Sequence, residues 1–220
     1  QTTRQKNLAL PSVQSVPIDE KPNQERFFYT LFYHRGNGLR FLSQKDWLKL
    51  IYRFLRLTKL PLVYSQGFST RPKITLSPPL PLGATSDHEY ITLALTEETD
   101  PQYIAESWTQ IHIPDFQVIA VEPGKVNNPI GEIVEFRNLK KALTELNKTD
   151  RLLAWQTIEL EHSGKVKPMP EVVLSISDER EIAITKKMEG ARPSEIAFAL
   201  LEQNSEWLRT IQFHRKQFLF

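Results

Sequence analysis

From Phe27 to Tyr33 the chain is a short run rich in apolar and aromatic residues, which predicts a β-strand ending at the turn Gly36-Asn37-Gly38. A helix is predicted from about Ser43 to Leu60. Placed at about 100° per residue, Trp47, Leu50, Ile51, Phe54 and Leu57 share one side, while Lys45, Lys49, Arg53, Arg56 and Lys59 share the other. Ser43 with Asp46 fits a capping box at its start, and Pro61 cannot extend it. Two strands follow, Lys73 to Ser77 and His88 to Thr96, joined by the SPPLPLG turn. Asp100-Pro101 opens a second helix to about Gln110, with an acid at the cap and proline at the first helical position, and Phe116 to Glu122 closes as a strand. The order βαββαβ predicts a ferredoxin-like sandwich.

After the linker Pro123 to Pro129 a similar pattern recurs more weakly. Gly131 to Arg137 reads as strand, Leu139 to Leu146 as helix and Ala154 to Glu161 as strand. Glu171 to Ser177 and Glu181 to Lys187 read as strands, Pro193 to Gln203 as helix, and Leu208 to Phe213 as the last strand. The expected fold class is therefore α+β: two tandem ferredoxin-like (βαββαβ) modules with antiparallel sheets, over residues 25–124 and 130–220. Residues 1–24, polar and with three prolines, are expected to be a disordered arm or linker.

Charge changes this picture. The chain carries a net charge of only +2, yet Arg35 to Lys73 holds nine Lys/Arg against one acid, Asp46, leaving the rest of the molecule acidic. On the helix no acid sits four residues from a cation to relieve their mutual repulsion. A solvated face normally mixes signs, so this stripe points to an anionic partner, and nucleic acid fits better than a membrane because Trp47 and Phe54 have core spacing. The glycine turn offers backbone amides without Cβ obstruction. Tyr64-Ser65-Gln66-Gly67-Phe68 then places aromatics and polar groups in a loop leading to Arg71 and Lys73. Aromatics among cations suit single-stranded RNA, whose bases stack and whose phosphates are neutralised.

The run from Gly38 to Ile91 resembles the radical-SAM-linked domain family, a domain of unknown function fused or adjacent to radical S-adenosylmethionine proteins. That family's pattern, R-F-L-S-H-x-D, a helix, L-P-x-x-Y-S-x-G-F-N-P-x-P-K, P-L-P-L-G and a downstream E-Y, is matched at Arg40, Phe41, Leu42, Ser43, Asp46, Leu60, Pro61, Tyr64, Ser65, Gly67, Phe68, Pro72, Lys73, Pro79 to Gly83, Glu89 and Tyr90. Gln44 replaces the histidine and Ser69-Thr70-Arg71 an Asn-Pro-His-like run, so proton shuttling at those positions is lost. The resemblance implies a radical SAM domain in cis or in trans that carries the iron–sulfur cluster and S-adenosylmethionine. Because the chain opens on Gln1 rather than Met, it is expected to be the C-terminal part of a longer cobalamin-binding radical-SAM-type protein, or a separate product trimmed at its start. In the second half, the family's basic turn, its R-P-x-E helix entry and its terminal arginine are matched more loosely, near Lys165, at Arg192-Pro193 with Glu195, and at Arg215.

Other chemistries find little footing. The chain has no cysteine, which excludes disulfides and a thiolate-held cluster within it. No cofactor or metal is expected here: the five histidines lack metal-site spacing, and no P-loop, G-x-S-x-G or dinucleotide fingerprint occurs. No apolar run approaches the roughly 18 residues of a membrane span, and no signal peptide is visible, so a cytoplasmic setting without membrane contact is expected. The expected function is a non-catalytic RNA-binding or substrate-presenting module serving a radical SAM enzyme. The nucleic-acid contacts fall on Arg35, Arg40, Lys45, Lys49, Arg53, Arg56, Tyr64, Ser65, Gln66, Gly67, Phe68, Arg71, Lys73, Lys165, Arg192 and Arg215. Two alternatives remain open. One is a module that docks on the radical SAM core without RNA. The other is a metal-independent endoribonuclease using His34 and Tyr64, prompted by the fold-level similarity of tandem ferredoxin-like units to CRISPR-associated endoribonucleases.

Overall fold

Alternation organises the first strand, β1 (Phe27–Arg35), whose Tyr29, Leu31 and Tyr33 enter a core while Thr30 turns to the opposite face and bonds Thr92. The computed structural model describes residues 25–162, 165–178, 181–189 and 191–220; the arm expected over 1–24 lies outside them, as do Gly164 and Gly190. β1 pairs antiparallel with β3 (Thr85–Leu95) on one side and β4 (Phe116–Pro123) on the other, and short β2 (Ile74–Leu76) pairs with β3. Helices α1 (Gln44–Thr58) and α2 (Pro101–Thr109) pack on the core face.

α1 buries Trp47, Ile51, Leu55 and Thr58, a stripe at helical spacing, with Leu50 and Phe54 partly covered. Leu57, expected on this face, is 58% exposed, because the stripe advances by fours and reaches Leu55 instead. Each fully buried side chain of that size contributes roughly 1.5–3 kcal/mol. The expected cap is present, with Asp46 N–H donating to Ser43 Oγ at 3.1 Å. The helix stops at Lys59, whose left-handed φ of 55° ends the ladder two residues before Pro61.

The second half contains β5 (Gly131–Arg137), α3 (Leu139–Glu145), α4 (Asp150–Leu153), a hairpin of β6 (Glu159–His162) and β7 (Lys165–Pro168), then β8 (Val173–Asp178), β9 (Ile182–Lys187), α5 (Pro193–Leu200), α6 (Ser205–Leu208) and β10 (Gln212–Leu219). Its core is a separate cluster built on Phe136, Leu139, Ile182, Ile184, Ile196 and Leu200. The last strand begins later than Leu208 because Trp207 and Leu208 pack on this core from α6, while β10 carries buried His214 and Arg215 that break the apolar alternation.

The result is a mixed α/β protein with one mostly antiparallel eight-stranded sheet, ordered β4-β1-β3-β10-β5-β9-β8, with β2 paired to β3 off this path. Among the described residues the one parallel contact in that order joins the halves, at His214↔Thr85 and Arg215↔Ser86 of β10 and β3. Since β2 pairs with β3 at Leu93 to Ile91, the outer edge of β3 is divided between β2 and β10. No helix among the described residues is long and apolar enough to cross a membrane.

Candidate nucleic-acid interface

Two charged systems emerge, one buried and one exposed. The buried one lies at the seam. Arg215 donates to Glu89 Oε1 at 2.7 Å and to Glu132 Oε2 at 2.7 Å, and Lys186 Nζ reaches Glu132 Oε1 at 3.2 Å. Burial alone would push the Glu132 carboxyl up, but Arg215 and Lys186 outweigh it and hold it below the usual carboxylate range. Burial likewise opposes the Arg215 charge, and Glu89 with Glu132 more than restores it. Arg215, predicted to contact nucleic acid, is therefore an internal clamp.

Arg35 is reassigned for the same reason. It is 2% exposed, donates to the carbonyls of Leu39 and Leu42 at 2.8 and 2.9 Å, and lies 4.9 Å over the Trp47 ring. Its guanidinium ties the turn to the entrance of α1, and burial pulls its pKa down. The glycine turn serves the fold as well. Gly36 N–H donates to Asp115 O and Gly38 N–H to Asp115 Oδ2, both at 2.7 Å, so these amides are engaged within the protein. A Cβ on Gly36 or Gly38 would come within 2.9 or 2.5 Å of the Asp115 side chain.

His34 meets Asp87 rather than Tyr64. Its Nδ1 lies 3.2 Å from Asp87 Oδ1, and His214 Nε2 lies 2.9 Å from Asp87 Oδ2. Thr85 Oγ1 is 2.7 Å from His214 Nδ1, a set satisfied by neutral His214 donating to Asp87 and accepting from Thr85. Burial keeps His214 below its ordinary pKa despite the pull of Asp87. Leu62 bridges to Leu95, so the Tyr64 loop sits at the end of β3 remote from Asp87, roughly 25 Å along the strand.

The exposed system is built on α1 and the segment after it. Val63 N–H donates to Ala94 O and Lys73 N–H to Val63 O, which stitches this segment to the edge of β3. Ser65 N–H donates to Arg71 O, and Arg71 N–H donates to Ser65 Oγ, closing a loop whose tip carries Gly67 at φ 116°. That closure thrusts Phe68 fully into solvent and leaves Tyr64 44% exposed. It also returns Arg71 toward α1.

Between them lies a cavity of about 530 Å³, lined by Lys45, Leu48, Lys49, Tyr52, Arg53, Arg56 and Arg71. A neighbouring cavity of about 460 Å³ shares Tyr52 and Arg71 and adds Ser65, Lys73, Arg26, Phe28 and Lys125. Among the described residues no carboxylate pairs with Lys45, Arg53, Arg56, Arg71 or Lys73, whereas Lys49 is held by Asp46 at 3.0 Å. Ser43 and Lys49 hold the Asp46 carboxyl below the usual range.

Of the other predicted contacts, Arg40 stacks 4.7 Å over Phe41 and donates to Asn37, away from both cavities. Gln66, Gly67 and Phe68 stand at the loop tip. Lys165 and Arg192 are exposed in the second half and line neither cavity. Lys59 sits at the helix end and is likewise outside. Residues overlooked in the sequence are Leu48 and Tyr52, which fall among the helix cations at legible spacing, and Arg26, Phe28 and Lys125, which only folding brings there. Lys125 Nζ lies 3.8 Å over the Phe28 ring. A larger cavity of about 780 Å³ in the second half is lined by Glu159, Glu161, Glu195 and Glu202 with Arg151, a lining of the wrong sign for phosphate.

The fold and this cationic groove thus define a mixed α/β protein with one strongly basic face. Residues 29–191 match DUF2344, described as an uncharacterized protein conserved in bacteria, and the chain belongs to that family. No curated protein matches it.

Proposed function

We propose that this chain is a non-catalytic RNA-binding module that presents RNA to a radical S-adenosylmethionine enzyme, with the iron–sulfur cluster and S-adenosylmethionine on a fused or partner domain in the cytoplasm. In this reading residues 25–124 and 130–220 are two ferredoxin-like modules. Support comes from the repeated strand order, β4-β1-β3 with β2 beyond it and β10-β5-β9-β8. The first module carries the RNA.

The observation that carries the reading is the groove between α1 and Arg71, where Lys45, Arg53, Arg56 and Arg71 line one cavity and, among the described residues, none of the four forms an ion pair. Cations held this way lose less to internal pairing and neutralise phosphate when RNA arrives. Guanidinium groups at Arg53, Arg56 and Arg71 add planar forks suited to phosphate oxygens.

The test is binding of a fluorescent random-sequence single-stranded RNA between 50 and 200 mM salt. With about six phosphates engaged on a single strand, affinity falls roughly 300-fold across that range, and Arg53→Glu with Arg56→Glu abolishes binding. Affinity that ignores salt overturns the phosphate-tracking reading. A second reading, docking on an acidic face of the radical enzyme core, draws on Phe41 and Leu82, each 67% exposed near the Gly83–Arg40 backbone bond. Binding to that purified core with no binding to RNA decides for it.

A further inference from the structure

We infer that the groove is a single-strand site in which one unstacked nucleotide enters the cavity between α1 and Arg71 and its base lies against Tyr52, and that this sets single-stranded RNA apart from duplex as the ligand. The inference rests on the RNA reading and sharpens it.

A row of cations on a helix face would serve any polyanion. What distinguishes this site is its concavity and the apolar part of its lining. Leu48 and Tyr52 line the same cavity as Lys45, Lys49, Arg53, Arg56 and Arg71, so an aromatic and an aliphatic side chain contribute to its wall where a flat basic surface would present only charge. Its volume of about 530 Å³ falls in the ~300–1,000 Å³ range of small-molecule sites. A base in a duplex is paired and stacked and presents only phosphates and groove edges outward, so it cannot enter this cavity. A base in a flexible strand can leave its neighbours at little cost, and every base offers a π-face to an aromatic ring.

The second cavity gives the strand a direction. It shares Tyr52 and Arg71 with the first and continues over Ser65 and Lys73 toward Phe28 and Lys125. Tyr52 and Arg71 therefore form the partition between two successive sites, one on the α1 side and one on the β2 side. Arg71 can hold the phosphate between the two nucleotides, because its backbone is fixed in both directions by Ser65. Phe28 is already covered by the Lys125 ammonium, so Tyr52 rather than Phe28 is the stacking surface. The exposed Phe68 stands outside both cavities and plays no part in this discrimination.

The experiment compares a twelve-nucleotide single-stranded RNA with the duplex of the same sequence, using the whole 220-residue chain and the variants Tyr52→Ala and Tyr52→Phe. Single-strand affinity exceeds duplex affinity by about tenfold or more, Tyr52→Ala removes most of that difference, and Tyr52→Phe keeps it, as expected of stacking. In parallel, wild-type protein is crosslinked to the same strand carrying 4-thiouridine, and the modified peptide is sequenced; it contains Tyr52. Because this arm needs no variant, it decides the matter even where Tyr52→Ala fails to fold. Equal binding of strand and duplex, or crosslinks confined to the Phe68 loop, overturns the inference while leaving salt-steep RNA binding in place. Absence of binding to either RNA overturns both.

Discussion

Arg215 of β10 and Glu89 of β3 are joined at 2.7 Å, and each side chain is only 3% exposed. This pair spans the boundary between the two hydrophobic clusters, and Glu132 completes it from β5. With only two residue pairs of parallel register between β3 and β10, side chains supply much of the polar fastening of the seam, through this ionic cluster and through His214 with Thr85 and Asp87. Arg215→Met is expected to cost about 3–5 kcal/mol, because Glu89 and Glu132 then remain buried with one cation fewer. Urea unfolding checks this. A loss below about 1 kcal/mol would show that the pair is solvated and the seam held by something else.

Acid acts on the same seam in two stages. His214 has a depressed pKa when folded, so the unfolded chain binds its proton first, near pH 6.5, and stability falls as pH drops below that value. The groups facing it are Thr85, Asp87, Lys216 and Arg137, and the last two add repulsion once it is charged. Burial pushes the Asp87 carboxyl up, but His214, Lys216 and His34 outweigh it, and Glu132 is also held low. Their contribution is present above about pH 4 and is lost as pH falls through their folded values. Urea midpoints measured from pH 8 to 2 should show both declines, and His214→Gln should remove the upper one. A single transition below pH 4 in the wild type would refute the role given to His214.

The sequence made the local elements legible and left the long-range charge pairing hidden. The α1 cations and the Ser43 cap follow from helical spacing, which is why Lys45, Arg53 and Arg56 fall where expected. Arg35 and Arg215 carry the same local signal, a cation in a basic stretch, yet both are buried. The carboxylates that hold Arg215 lie 126 and 83 residues away, which no window of sequence contains, while Arg35 bonds backbone carbonyls of the turn just after it, acceptors that every residue carries and that leave no mark in the sequence. The strand β10 was displaced for a related cause: a strand that buries His214 and Arg215 does not alternate. Tyr52 is the opposite case, since its place among Lys49, Arg53 and Arg56 was readable and only the concavity around it required the fold.

The turn before α1 offers a steric test. Gly36 has φ −88° and ψ −168°, values any residue adopts, so space and not backbone freedom demands glycine there. A Cβ would stand 2.9 Å from Asp115 Cβ, an atom that cannot swing away because Asp115 sits at φ 58° with its carbonyl bonded to Gly36. Gly36→Ala should therefore cost about 1–3 kcal/mol. Gly38→Ala meets only the carboxylate end, which can rotate at the loss of one exposed hydrogen bond, for about 1 kcal/mol or less. Asp115→Gly should relieve Gly36→Ala in a double-mutant cycle. Additive losses would contradict the contact.

Lys49 and Arg53 lie one turn apart on α1, yet they should contribute unequally to RNA binding. Lys49 is engaged by Asp46 at 3.0 Å, so a phosphate must displace that carboxylate or share the ammonium with it. Arg53 has no such partner among the described residues and lines the cavity directly. Each phosphate contact adds about 0.7 to the slope of log affinity against log salt for a single strand, so Arg53→Gln should lower the slope by about that amount. Lys49→Gln should lower it by distinctly less. Asp46→Asn, which keeps a hydrogen-bonding side chain at the helix start while removing its charge, should raise affinity by releasing Lys49 and should make Lys49→Gln as costly as Arg53→Gln. Titrations of the wild type, the three single variants and the Asp46→Asn/Lys49→Gln double variant at three salt concentrations measure the slopes. Equal slopes for Lys49→Gln and Arg53→Gln in the presence of Asp46 would mean that the ion pair opens freely and that α1 presents a uniform row of charge.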